Sequence, residues 1–194
     1  MTGANIGNTN GGWLIILIVT VGMFRQLYIT LQWNAPLESI PAPCRSYINL
    51  RTWSNKAAKS AWQWAKQCNP VSSPEKMRTV DGTVCGETRL QSINAISWSN
   101  IIDVWVAKRS NFKYGVGAID SKKDVYGYTQ LIWYNTHEIG CAVVHCKDNE
   151  YKFFYVCHTC PAGNIKKLIP IPYKNGPSCD DCPNRCEEKL CTNL

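Results

Sequence analysis

The chain has 194 residues, 45% of them hydrophobic, and a formal net charge of +7. This length suits one ordinary domain with small additions, and the apolar fraction is sufficient for a packed core. The basic residues are scattered along the sequence, whereas a nucleic-acid binder gathers them on one face or interleaves them with exposed aromatic residues. A nucleic-acid partner is therefore not expected.

The first 42 residues form an atypical N-terminal segment with one apolar run, from Trp13 to Phe24. The run is too short to span a bilayer comfortably and has about the length of the apolar part of a signal peptide. No positive side chain precedes Trp13, and no clean cleavage site follows. A signal-like segment is the preferred interpretation. An uncleaved anchor and an N-terminus without a targeting role remain the alternatives.

Two helices are predicted in the next part of the chain. Alanine and tryptophan recur at helical spacing from Trp53 to Cys68. Residues 69–92 are polar and irregular, and no regular element is predicted there. A second helix is predicted from Ser97 to Lys108, with Ser97 as its N-cap.

Three runs rich in β-branched and aromatic residues follow and predict strands, at Tyr128–Tyr134, Ile139–Cys146 and Lys152–His158. Helices followed by an antiparallel meander indicate an α+β domain in which helices cover a sheet. Proline and glycine are frequent between residues 161 and 178, which marks a domain boundary.

Eleven cysteines indicate the compartment. Six are spread over the middle of the chain and four close it in a C-x₂-C-x₃-C-x₄-C pattern. This density is typical of an oxidising environment, so we expect a secreted protein of the extracellular space. Zinc binding by the last four cysteines is the less favoured alternative. Spacing alone leaves fifteen possible pairings for the first six.

Several separate blocks of sequence point to one family. Tyr128-Thr-Gln-Leu-Ile-Trp-Tyr with Ile139-Gly-Cys-Ala resembles the signature of the cysteine-rich secretory proteins (CRISP), a branch of the CAP superfamily. Phe154-Tyr-Val-Cys-His-Thr-Cys-Pro-Ala-Gly-Asn is similar to the second signature of that family. Cys85-Gly-Glu and Lys113-Tyr-Gly-Val-Gly match two further blocks. The blocks occur in the family's order.

The resemblance implies an α-β-α sandwich, the CAP (SCP) domain, over residues 43–165. A short disulfide-rich hinge over residues 166–194 is expected to follow, truncated before the family's final cysteine-rich module. Cys44 is left unpaired. The disulfides implied by the family pattern are Cys68–Cys146, Cys85–Cys160, Cys141–Cys157, Cys179–Cys186 and Cys182–Cys191.

Intact members of the family hold two histidines and two glutamates in a cleft, a set of ligands that suits zinc. The four corresponding positions are Ser72, Glu87, Lys108 and Gly127. Because only Glu87 keeps a ligand, no metal and no cofactor are expected. We predict that Lys108 approaches Glu87 and neutralises it.

Catalysis is not expected from other residues either. No Gly-x-Ser-x-Gly elbow is present. The C-x-x-C pair Cys157 and Cys160 already has structural partners in the implied pairing. His137, His145 and His158 are interpreted as structural or surface residues, because isolated histidines in a turn or beside disulfide cysteines rarely act as ligands.

These observations predict a non-catalytic secreted binding protein and no enzyme. The resemblance implies reproductive-tract or venom-type secretion and, for the mammalian branch, sperm binding and a part in fertilization. The expected partner is a cell-surface protein, and the expected state is a monomer. The alternative is a sterol- or lipid-binding carrier, because CAP members can bind sterols in an apolar crevice.

Overall fold

A computed structural model describes residues 45–47, 51–177, 179–187 and 190–192. The expectations for residues 1–42, including the apolar run 13–24, and for Cys44 lie outside the described residues. Within the described part, no helix combines the length and the apolar character needed to cross a membrane.

The described strands are β1 (Arg45–Tyr47), β2 (Thr52–Trp53), β3 (Thr79–Val80), β4 (Thr83–Val84), β5 (Gly86–Ser92), β6 (Phe112–Lys113), β7 (Gly117–Ala118), β8 (Glu138–His145), β9 (Phe153–Cys160), β10 (Lys174–Asn175), β11 (Cys186–Glu187) and β12 (Leu190–Cys191). The described α-helices are α1 (Asn55–Ala65), α2 (Trp98–Ala107) and α3 (Tyr126–Leu131). Single 3₁₀ turns lie at Glu75–Met77 and Lys108–Asn111.

The centre of the domain is a four-stranded sheet in the order β2-β8-β9-β5. Strands β8 and β9 form the expected antiparallel hairpin, and β5 pairs antiparallel with β9. The predicted sheet was antiparallel throughout, which is wrong at one edge, because β2 runs parallel to β8. This short edge strand is held by Thr52 N donating to His137 O and Ser54 N donating to Ile139 O, each at 2.8 Å.

Alternate residues of the β8–β9 hairpin enter two cores on opposite faces of the sheet, as the period of two in a strand requires. One face packs against α2 and α3, and the other packs against α1. The first face presents Cys141, Val143, Tyr155 and Cys157, and the second presents Ala142, Val144, Phe154 and Val156. The structure is therefore the expected α-β-α sandwich, in which both faces of an apolar hairpin are covered by helices.

The first helix lies against the sheet at very short range. Its N-cap is Ser54, whose Oγ accepts from Ala57 N at 3.4 Å. A Cβ atom placed on Gly140 of β8 would collide with Ala58 N and Ser54 O. The predicted start at Trp53 is wrong because Trp53 pairs within the sheet as part of β2. Glycine at position 140 is thus what allows α1 to approach β8.

The second helix is confirmed, with Ser97 Oγ accepting from Asn100 N at 3.2 Å. The strand predicted at Tyr128–Tyr134 is wrong, because most of this run lies in α3, which starts at Tyr126. A short apolar run that is buried on all sides has no periodicity to separate helix from strand. The backbone hydrogen bonds of this segment follow the helical pattern, with Thr129 N donating to Val125 O at 2.9 Å.

The region 69–92, predicted to be irregular, contains the seven-residue strand β5. Its sequence, from Gly86 through Glu, Thr, Arg, Leu and Gln to Ser92, is mostly polar. The strand lies at the edge of the sheet and pairs only with β9 among the described elements. Polar residues are tolerated there because an edge strand is only partly covered. The segment therefore lacks the run of apolar residues from which a strand could be predicted.

Five disulfides join the described cysteines in the pairing that the resemblance implied: Cys68–Cys146, Cys85–Cys160, Cys141–Cys157, Cys179–Cys186 and Cys182–Cys191. The first two connect residues 78 and 75 positions apart. The third joins facing residues of β8 and β9. The last two bridge the C-terminal segment, where β11 and β12 pair and three of the cysteines are buried.

Candidate functional site

A cleft of about 450 Å³ lies beside the edge strand β5, between that strand, the end of α2 and the start of α3. Its walls include all four positions that the resemblance matched to the family's metal ligands: Ser72, Glu87, Lys108 and Gly127. The structure therefore brings together residues that are distant in the sequence. The chemistry of the cleft depends on how these residues are paired.

Glu87 is held by three neighbours. Its side chain is 4% exposed, and its carboxylate accepts from Ser73 N at 3.2 Å and from Arg89 Nη1 at 3.2 Å. His158 Nε2 lies 3.3 Å from its Oε2. Burial alone raises the pKa of Glu87, but the hydrogen bonds from His158 and Ser73 and the charge of His158 outweigh it. The net effect is a lowered pKa, so Glu87 is ionised at neutral pH.

The prediction that Lys108 neutralises Glu87 is wrong. Lys108 Nζ forms a close ion pair with Asp124, and Tyr126 N donates to the other carboxylate oxygen of Asp124 at 2.8 Å. Glu87 is neutralised by Arg89, because residues two apart on a strand point to the same side of the sheet. Asp124, which the sequence interpretation missed, comes from the loop before α3, and no spacing rule connects it with Lys108.

The pKa of Asp124 is also shifted. Partial burial raises it, whereas the hydrogen bonds from Lys108 and from the Tyr126 backbone, and then the charges of Lys108 and Arg89, lower it. The lowering prevails. The cleft thus contains two carboxylates that are ionised and already paired with cations.

The other two positions offer no metal ligand. Ser72 is exposed, and its Oγ accepts from Arg89 Nη1 at 2.6 Å. Gly127 lies in α3, and a Cβ atom there would be 3.1 Å from Trp105 Cδ1, so a larger side chain requires Trp105 to move. Within the described ranges, no group of three or more His, Cys, Asp or Glu could hold a metal ion. The residues of the cleft do not fit the zinc site that the family implies.

The sequence interpretation placed His158 among structural or surface histidines, and the structure gives it specific partners. The ring is fully buried, with Nδ1 2.9 Å from Ser60 Oγ on α1 and Nε2 facing Glu87 on β5. His158 and Glu87 are register partners of β9 and β5. Because β5 was not predicted, no sequence signal could have placed these two residues opposite each other.

A serine beside a histidine and a carboxylate suggests nucleophilic catalysis, but the surroundings of Ser60 do not suit it. Ser60 Oγ donates to Met77 O at 2.8 Å. The residue lies inside α1, where backbone N–H groups are bonded within the helix and cannot stabilise an oxyanion. The arrangement instead ties α1, β9 and β5 together with polar contacts.

A family model described as "CAP: Cysteine-rich secretory protein family" matches residues 47–159. The chain belongs to the CAP family. In the first signature block, Tyr128–Tyr134, the Oε1 atom of Gln130 accepts from Gly163 N of the second block at 3.2 Å. The two signature blocks therefore contact each other directly.

Solved structures show the same CAP fold. The crystal structure of NaASP2 with Zn²⁺ has a TM-score of 0.68 at 22% identity and covers 88% of this chain and 94% of its own. Venom allergen-like protein 4 of Schistosoma mansoni has a TM-score of 0.63 at 18% identity, covering 84% and 95%. BmVAL-1 has a TM-score of 0.60 at 25% identity, covering 80% and 81%. At these identities the likeness is one of fold.

Proposed function

We propose that this CAP protein is a non-catalytic, secreted binding protein of the cysteine-rich secretory branch that attaches to a protein on the cell surface. The observation that carries the proposal is the state of the cleft. Glu87 is paired with Arg89 and Asp124 with Lys108, so the acidic groups that would hold a metal or transfer a proton are engaged inside the protein. Recognition by surface contacts is what such a molecule can still perform.

The C-terminal segment supports the assignment to this branch. Its four cysteines form two disulfides within residues 179–191, and its sequence resembles the hinge of the cysteine-rich secretory proteins. The five disulfides together suit an oxidising extracellular environment. By the same resemblance, the cellular setting that we propose is the sperm surface and fertilization.

The test is saturation binding of the fluorescently labelled, disulfide-intact protein to intact mammalian sperm. We expect saturable binding that disappears when the cells are first treated with trypsin, because the partner is a protein. A C179S/C186S variant reports on the contribution of the C-terminal segment. Absence of saturable binding overturns the proposal, as does turnover of a peptide or ester substrate that is lost in E87Q.

A lipid carrier is the second candidate, favoured by exposed aliphatic side chains on two neighbouring segments. Val116 and Ile119 lie on one segment and Ile165 and Ile171 on the other, exposed by 44% to 62%. Gly115 N donates to Pro170 O at 2.8 Å and holds the segments together. Apolar side chains concentrated in this way mark surfaces that bind lipids or proteins.

Binding of radiolabelled cholesterol to the purified protein separates the two candidates. A carrier binds cholesterol saturably and loses the binding in I119D/I171D. The control is V104D, which adds a charge at another exposed aliphatic residue, 42% exposed on α2. Saturable cholesterol binding with no trypsin-sensitive attachment to cells favours the carrier.

A further inference from the structure

We propose that the cleft of this protein binds an oxyanion, such as a phosphate, sulfate or carboxylate group, in place of a metal cation. The inference goes beyond the proposed attachment to cells and does not depend on it. It rests on which hydrogen-bonding groups of the cleft are already used and which remain available.

The acceptors of the cleft are engaged. The carboxylate of Glu87 accepts from three groups and that of Asp124 from two, as described above. Asn164 Oδ1 accepts from Thr129 Oγ1 at 2.5 Å, and Asn164 Nδ2 donates to Tyr126 O at 3.0 Å. The cleft therefore offers few free oxygen atoms to a metal cation or to a molecule rich in hydrogen-bond donors.

The donors of the cleft are not exhausted. The ammonium of Lys108 has three N–H groups, and the described residues show one partner for it, Asp124. Arg89 donates through Nε and Nη1, while its Nη2 has no partner in the described part of the chain. The hydroxyl of Ser72 accepts from Arg89, which leaves its own proton free to donate.

Thr88 lies between Glu87 and Arg89 in β5 and also lines the cleft. Because side chains alternate along a strand, its side chain lies on the other side of the sheet from those of Glu87 and Arg89. The residue is 4% exposed, and its buried Oγ1 has no hydrogen-bond partner among the described residues. This hydroxyl is closed off from the cleft, so the donors offered to a ligand are those of Lys108, Arg89 and Ser72.

Spare donors and engaged acceptors together define the ligand. An acceptor-rich oxyanion complements an arginine fork and a lysine ammonium, which bind carboxylates and phosphates in many proteins. Relative to the family, the change of a glutamate position to Lys108 converts a cation ligand into an anion ligand. The preference of the cleft for charge is therefore reversed in this chain.

One group opposes the anion. The side chain of Asp124 is 49% exposed, whereas that of Glu87 is 4% exposed and paired with Arg89. An entering oxyanion meets the charge of Asp124 while it competes for Lys108. Binding of a simple oxyanion is therefore weak in the natural chain, and removal of the Asp124 charge must strengthen it.

The experiment is a titration of the disulfide-intact full chain with inorganic phosphate, followed by ¹H–¹⁵N NMR at constant ionic strength with chloride as the balancing ion. We expect saturable shifts at the backbone amides of Thr88, Arg89 and Lys108. K108Q and R89Q weaken binding by about tenfold, and D124N strengthens it by about tenfold because one negative charge close to the ligand is removed. The control K113Q removes the same charge at an exposed lysine outside the cleft and leaves binding unchanged.

The outcomes decide the proposal. Absence of saturable shifts in both the natural chain and D124N overturns it, as does an equal weakening by K113Q and K108Q. If R89Q fails to fold because Glu87 loses its cation, K108Q and D124N carry the test. Vesicles of phosphatidylcholine with phosphatidic acid distinguish the source: sedimentation with them that is lost in K108Q indicates a lipid headgroup, and phosphate binding without sedimentation indicates a free oxyanion.

Discussion

His158 connects Glu87 in the cleft with Ser60 on the opposite helix. Its Nε2 lies 3.3 Å from Glu87 Oε2 and its Nδ1 lies 2.9 Å from Ser60 Oγ. The hydroxyl proton of Ser60 is directed to Met77 O, so the serine oxygen is available to accept from the ring. When the ring is protonated, both nitrogens donate and every polar group of this array has a partner.

Replacement of His158 by leucine is expected to destabilise the domain. H158L leaves Glu87 with a buried charge that retains only Arg89 and Ser73, and breaking a buried pair in this way costs about 3 kcal/mol of unfolding free energy. Urea denaturation with intact disulfides measures the change. The matched control is H145L at the exposed His145, expected within about 0.5 kcal/mol of the natural chain. Equal effects of the two substitutions would contradict the structural role of His158.

The stabilisation from Glu87 is expected to depend on pH. The pKa of Glu87 is lowered from its usual value of 4.5 in the folded protein. A lowered folded-state pKa contributes stability that is complete above pH 4.5 and is lost as the pH falls through the folded-state pKa. The difference in unfolding free energy between the natural chain and E87Q should therefore be largest at neutral pH and shrink on acidification. A difference that stays constant down to about pH 3 would show that ionised Glu87 adds nothing.

The contact between α1 and β8 is expected to be intolerant of a methyl group. In G140A the new Cβ meets backbone atoms of Ser54 and Ala58, which cannot move independently of the helix. We expect a loss of about 3 kcal/mol, at the upper end of the usual cost of overpacking. In G127A the Cβ meets only the side chain of Trp105, which can shift, so thermal unfolding should change far less. Similar losses in both variants would refute this account.

The disulfides are expected to stabilise the fold more when they enclose more chain, with a logarithmic dependence on loop length. Removing Cys68–Cys146 as C68S/C146S frees a loop of 78 residues and is expected to cost about 4 kcal/mol in the chain-entropy model. Removing Cys179–Cys186 frees a loop of 7 residues and is expected to cost about 2 kcal/mol. Calorimetry of both double variants checks the order, and a reversed order would rule out loop closure as the main term.

Zinc is not expected to bind at the cleft with micromolar affinity. Three of the four ligand positions are Ser72, Lys108 and Gly127, and the fourth, Glu87, is paired with Arg89. Isothermal titration of the natural chain with zinc chloride measures this directly. Heat of binding that is present in the natural chain and absent in E87Q would mean that the site still takes the metal.

Much of the site could be located from the sequence, but not its pairing. The resemblance to the family implied that Ser72, Glu87, Lys108 and Gly127 lie in one cleft, and all four line it. The partner of Lys108 was predicted wrongly, since Asp124 lies in a loop whose path depends on α3. The sequence wrongly predicts a strand at Tyr128–Tyr134, because burial of most of this run removes the difference between helical and strand periodicity.

The sequence by itself determined the features that local chemistry and cysteine chemistry control. These are the cap at Ser97 and the apolar hairpin β8–β9, and, through the resemblance to the family, the pairing of the described cysteines. Only the tertiary structure decided that Arg89 neutralises Glu87, that His158 bridges to Ser60, and that the cleft retains free donors. The free energy of a buried charge depends on atoms that the fold brings together from distant parts of the chain, as with Glu87 and His158, which are 71 residues apart.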